Sequence, residues 1–231
     1  MKNYIVCLYL FLATSASFAQ SDTLITRYLA MEGKHSPLYT GKIPLPYPAY
    51  MENYPYLQRP EFTEGALSYG GTCYPGIRMR LDVYHGRLLV SPPGELYEVI
   101  LPPEQVDYAK LHGYHVFYFY PDSLKDSPPA GYYLLLHDGG CRVLSRPVCS
   151  MRETSRDGVV TGWFRCSTKY YILKDSVYHA VKSKGSVLKL FPSHRKELSR
   201  YIGEHRLNFR RNAEEALVAV VKRYEQWNAG L

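Results

Sequence analysis

The sequence predicts an α+β protein, a mainly antiparallel β-sheet or incomplete barrel of about seven to nine strands with two C-terminal helices. Three observations lead there. Ile77–Val83 alternates apolar and polar residues without a break, short apolar runs separated by turn residues follow it, and the chain after Pro192 changes to a helical period. With 231 residues, 46% hydrophobic and 14% aromatic, the chain has enough apolar side chain for a core and is excluded from the disordered class.

Residues 1–19 are expected to be a secretory signal peptide. Lys2 is a short positive region, Tyr4–Ala16 is apolar, and Ser17-Phe18-Ala19 offers small residues where a signal peptidase cuts. Cleavage would make Gln20 the first residue and lower the net charge of +7 by one, through Lys2. The expected location is therefore periplasmic or secreted. The apolar stretch is shorter than the about 20 residues a spanning helix needs, so no transmembrane segment is expected after cleavage.

Residues 20–64 form a distinct arm. Pro37, Pro44, Pro46, Pro48, Pro55 and Pro60 alternate with Tyr39, Tyr47, Tyr50, Tyr54 and Tyr56, and proline at that density blocks regular ladders. An extended segment laid over the body is expected. Its tyrosines either pack that segment down or form an aromatic platform for a ligand.

Residues 65–231 are expected to be a β-rich domain ending in the two helices. In Ile77–Val83, Ile77, Met79, Leu81 and Val83 share one face while Arg78, Arg80 and Asp82 take the other. Tyr84-His85-Gly86-Arg87 turns into Leu88–Val90, a hairpin signature. Further strands are expected at Ala66–Tyr69, Tyr97–Leu101, Tyr114–Tyr120, Tyr132–Leu136, Tyr170–Lys174, Val177–Val181 and Val187–Leu190, with turns that include Asp138-Gly139-Gly140, Asp175-Ser176 and Lys184-Gly185. Ser193 is a credible N-cap for a helix carrying Leu198, Tyr201 and Ile202. A second helix opens at Asn212 with Glu215 three residues on, and its stripe of Leu217, Val220, Val221 and Tyr224 must be buried, most simply against the sheet.

Removing Cys7 with the leader leaves Cys73, Cys141, Cys149 and Cys166. Their spacings match no zinc site, and an oxidising compartment favours disulfides. The most local pairing, Cys141 with Cys149, is the expected bridge, with free buried thiols as the competing reading.

No cofactor motif is present, and no catalytic residue is assigned. His137-Asp138-Gly139-Gly140-Cys141 places a base, a carboxylate and a thiol close together, but the flanking runs Tyr132–Leu136 and Arg142–Leu144 read as a hairpin around a turn. His112 and His115 lack a third ligand for a metal. Glu61, Glu64, Glu95, Glu98 and Glu104 leave a glycosidase-type carboxylate pair as a minor reading. The candidate binding residues are the arm's Tyr47, Tyr50, Tyr54 and Tyr56 with Arg78 and Arg80 of the strand face. The basic cluster Arg195, Lys196, Arg200, Arg206, Arg210 and Arg211 reads as a solvated helix face, or as an attractor for anionic envelope polymers or an acidic partner. An exported chain is not expected to meet nucleic acid.

Four stretches carry a resemblance. Leu38-Tyr39-Thr40-Gly41, Gly65–Tyr69 with Gly71 and Tyr74, Met79–Val83 followed by Leu88–Val90, and Lys196-Glu197-Leu198 with Tyr201-Ile202 resemble an uncharacterised family of exported proteins from Bacteroidota. At Leu81-Asp82 that family's pattern would have a Tyr-Asp pair. The resemblance implies an envelope location, beside an outer-membrane receptor or another envelope protein as partner, and no known activity. The functional expectation is non-enzymatic binding of a partner protein or an extracellular ligand, the alternative being a hydrolase acting on an envelope or glycan substrate.

Overall fold

The structure of the protein, a computed structural model, describes residues 36–121 and 127–229. The expected leader and the start of the arm lie outside those residues. Ten strands run as β1 (Thr63–Tyr69), β2 (Thr72–Asp82), β3 (Arg87–Val90), β4 (Val99–Ile100), β5 (Val106–Leu111), β6 (Tyr114–Phe119), β7 (Gly131–His137), β8 (Arg142–Arg156), β9 (Val159–Lys174) and β10 (Val177–Val181). Three helices follow: α1 (Lys184–Leu190), α2 (Arg195–Glu204) and α3 (Ala213–Ala229). All strands join one antiparallel sheet in the order β10-β9-β8-β7-β6-β5-β1-β2-β3-β4, which stays open.

The expected α+β class holds, with a third helix added. Val187–Leu190 is no strand: it lies in α1, where Ser183 and Ser186 cap the first turn reciprocally. A four-residue stretch with apolar Val187, Leu188 and Leu190 does not distinguish a buried strand from a short helix, so the cap decides. Lys184-Gly185 accordingly begins a helix and is not a turn. β5 and most of β8 and β9 also escape the alternation test. The β8–β9 hairpin turns at Asp157-Gly158, both left-handed with φ of 51° and 81°, the geometry of the tight hairpin turn that matches strand twist.

Among the described residues the interior has two large apolar clusters and a smaller one of Tyr133, Leu144 and Tyr171. Leu67, Ile77, Met79, Leu81, Leu88, Val90, Ala109, Val116 and Leu134 pack inside β1–β7. Val143, Ile172 and Val181 meet Leu198, Leu217, Val220 and Val221 of the helices, so the expected stripe on α3 is buried against the sheet. Leu136 touches both clusters. It falls at the irregularity where β7 slips register against β8, and such a bulge re-aims a side chain.

The cysteine pairing differs from the expectation. Cys149 faces Cys166 across the β8–β9 ladder and the two form the disulfide, while Cys141 is buried and free and Cys73 is exposed and free. Cys141 and Cys149 sit at the two ends of a stretch of extended strand that rises about 3.3 Å per residue, which carries them too far apart to bond.

The arm covers strand edges. Its Lys42 carbonyl accepts from Ile100 of β4 at 2.9 Å, Glu52 donates to Gly162 of β9 at 2.8 Å, and Val83 at the end of β2 donates to Pro55 at 2.8 Å. Asn53 adds a side-chain substitute for a strand, accepting from the Phe164 N–H at 2.6 Å and donating to its carbonyl at 2.9 Å. Covering edges in this way removes templates for intermolecular pairing. Gly162 lets the arm lie close, because a Cβ there would displace the Met51 sulfur and crowd the Tyr50 ring.

Candidate functional site

The arm, the β2–β3 turn and β8 meet at one end of the sheet. Asp82, the last residue of β2, is 3% exposed although the alternation assigns it to the polar face. It stays buried because it is saturated. One carboxylate oxygen accepts the His85 backbone N–H at 3.1 Å, and the other accepts the Tyr47 hydroxyl at 2.7 Å and lies 3.1 Å from His85 Nδ1. Tyr47 Oη is also 2.7 Å from His85 Nδ1. With the phenol proton directed at Asp82, that contact closes when Nδ1 carries a proton.

This cluster holds the Tyr47 hydroxyl in place and does not activate it. Burial, then the bond to Asp82, pushes the phenol well above its ordinary range. The Tyr47 ring stacks on His85 and meets Tyr56, Tyr84 and Phe164 edge-on.

The sequence-predicted binding residues divide into two groups. Arg80 donates to both Glu98 oxygens at 2.9 Å and to the Pro60 carbonyl at 2.7 Å, with its guanidinium 3.8 Å from the Tyr56 ring centroid and 4.5 Å from that of Phe62. Burial pushes the Tyr56 phenol up to about 12 against the opposing pull of Arg80. Tyr47, Tyr56 and Arg80 are therefore engaged in anchoring the arm. Tyr54, stacked on Tyr56, and Tyr50, which donates to Glu153 at 2.7 Å, are exposed, as is Arg78 beyond the Phe62 ring.

Beside this anchor lies a cleft of about 290 Å³ whose walls include Tyr84, His85, Tyr118, Arg146 and Pro147. Pairing of β7 with β8 ends at Leu134 and Ser145. Past that point β8 is laddered to β9 alone among the described residues. The direction of its backbone groups follows from the arm. Gly162 and Phe164 turn their N–H and C=O toward Tyr50, Glu52 and Asn53. Their partners across the ladder, Glu153 and Met151, must then point their own groups to the outer edge of β8. Pro147 has the same parity and no N–H, which is where a strand tolerates proline. Pro147 was the available sequence signal for a free edge, whereas nothing local marked Tyr84, Tyr118 and Arg146 as neighbours.

The other sequence candidates are structural in placement. His137 and Cys141 flank the expected turn between β7 and β8, gripped by Glu225 of α3: His137 Nε2 lies 2.8 Å from one carboxylate oxygen, and the Cys141 N–H donates to the other at 2.7 Å. Burial, then Glu225, raises the Cys141 thiol, opposite to what a nucleophile needs. His112 sits in the β5–β6 turn, where burial, then Arg59, lowers its pKa, and His115 stacks on Tyr108. Among the described residues no helix is long and apolar enough to cross a membrane. Comparison with protein families, characterised proteins and solved structures finds no match to this chain.

Proposed function

We propose that this is an exported cell-envelope protein, periplasmic or secreted, that binds a partner protein without catalysis, and that the partner lays an extended segment along the free edge of β8. The observation that carries this reading is the strand edge from Pro147 to Glu153, whose outward N–H and C=O groups face the cleft side of the sheet with no neighbouring strand among the described residues. Adding a strand there would satisfy those groups and give affinity through the main chain, while Arg146, Tyr84 and Tyr118 select side chains. The leader-like residues 1–19 and the resemblance to exported Bacteroidota proteins support the location, and an outer-membrane or other envelope protein is the partner class they suggest.

The test is a photo-crosslinking amino acid placed at Ser150 in cells, with and without Met151→Pro. The proline removes an outward donor and leaves the β9 ladder its partners. A discrete adduct with an envelope protein, lost in the proline variant, is the expected result. No adduct, or one indifferent to the proline, would reject the reading. Intact mass of the exported protein should begin at Gln20, and a mass retaining Met1–Ala19 would reject the location.

A further inference from the structure

A second cleft, which shares no lining residue with the first, lies where the start of α1 meets the turn between α2 and α3. It measures about 620 Å³, and its lining brings Lys182 and Lys184 together with Arg206 and Arg210 and with the apolar, half-buried Leu207 and Phe209. No carboxylate lines it. Among the described residues, none of the four cations has an ion-pair partner. Like charges gathered without a counter-charge repel one another, so the arrangement is one that an anion would stabilise.

The turn that presents the arginines is ordered by its own hydrogen bonds. Leu207 N–H donates to the Ile202 carbonyl at 3.0 Å, closing the end of α2, and the Asn208 side-chain oxygen accepts from the Arg210 and Arg211 N–H groups at 2.9 and 3.1 Å. Arg206 occupies the left-handed region at φ 50°. That position at a helix end usually falls to glycine or asparagine. An arginine there bears a backbone penalty, and strain of this kind is a reason to look for function. The sequence cluster of Arg195, Lys196, Arg200, Arg206, Arg210 and Arg211 is thereby divided: Arg206 and Arg210 line the cleft together with the two lysines, while the other four do not line it.

We propose that this cleft binds a phosphate group attached to an apolar body. Four unit charges suit a dianionic phosphate better than a single carboxylate, guanidinium forks pair with phosphate oxygens, and the half-buried Leu207 and Phe209 offer the carrier an apolar surface. The phosphate could be that of a small soluble ester or of a lipid headgroup, and the same chemistry would hold either.

The probes are phenyl phosphate, inorganic phosphate, acetate at matched ionic strength, and phosphatidylcholine vesicles with and without phosphatidylglycerol. The proteins are the full chain and its Arg206→Gly, Arg210→Gln double variant, in which the glycine relieves the left-handed backbone. Calorimetry should show phenyl phosphate binding more tightly than inorganic phosphate and acetate, with affinity falling about tenfold or more in the variant as charge-assisted bonds are lost. The variant's thermal midpoint without ligand should stay at or above that of the parent. Binding of phenyl phosphate in solution identifies a soluble ester, and sedimentation only with phosphatidylglycerol vesicles, abolished in the variant, identifies a headgroup. No binding of either probe, equal binding of acetate, or a variant within twofold of the parent would overturn the proposal.

Discussion

Two hairpins of this protein are gripped in the same way by carboxylates of different origin. At the β2–β3 turn, Asp82 holds the N–H and ring of His85, three residues on, and receives Tyr47 from the arm. At the β7–β8 turn, Glu225 holds the ring of His137 and the N–H of Cys141, and it comes from α3, 88 residues away from that histidine. The first grip belongs to the strand that makes the turn. The second exists only once the helices have docked, so it ties the hairpin to the helix layer.

Substitutions should separate the two grips. Val220→Asp has the largest expected effect, since Val220 is fully buried. A charge there should cost about 3–5 kcal/mol and dislodge α3, taking the Glu225 grip with it. Circular dichroism should show the cooperative thermal transition lost, and a wild-type midpoint would mean that the stripe does not hold the helix to the sheet. Asp82→Ala should cost about 2–4 kcal/mol, because buried donors lose their acceptor. Urea unfolding would measure that loss, and protease should then cut faster between Tyr47 and Tyr56 while the β7–β8 turn stays protected.

Glu225→Gln keeps an acceptor for the Cys141 N–H and removes the charge, so a loss of about 1 kcal/mol is expected. Its sharper readout is the thiol. In the native protein an alkylating reagent should modify exposed Cys73 and spare buried Cys141, and Glu225→Gln should move the onset of Cys141 modification to lower pH, since one of the causes raising that thiol is gone. Quantitative early labelling of Cys141 in the parent would contradict its burial.

The smallest effect is alkaline. The fold raises the Tyr56 and Tyr114 phenols from 10.0 to about 12, in both by burial first and for Tyr114 also through its bond to Glu214. Their raised values make the neutral form the native one. The associated stability is complete below pH 10 and is lost as pH rises through 10 toward 12. Phenolate absorbance followed against pH should show these groups titrating late, and Asp82→Ala should bring Tyr47 down toward the ordinary range.

What could be read along the chain depended on whether a residue's role is set by its near neighbours. Ile77–Val83 announces β2 because one face is buried and the other is not, and Leu217, Val220, Val221 and Tyr224 announce α3 for the same reason at helical period. The Asp157-Gly158 turn was equally local, a strong hairpin dipeptide. Periodicity does not flag the strand before it, because Arg152–Arg156 is exposed on both faces and shows no alternation.

Other features are decided only by three-dimensional pairing. The partner of Cys149 is the residue opposite it in the ladder, and register is a property of two strands together. Asp82 is buried because the arm returns to cover it, Glu225 finds its turn because α3 docks, and Arg206 and Arg210 meet Lys182 and Lys184 because α1 lies beside the turn after α2. Local periodicity determines which elements form, since it records burial one residue at a time. Which surfaces then face each other depends on how those elements pack, and the cleft beside β8 and the cationic cleft each draw their walls from segments that are separate in sequence.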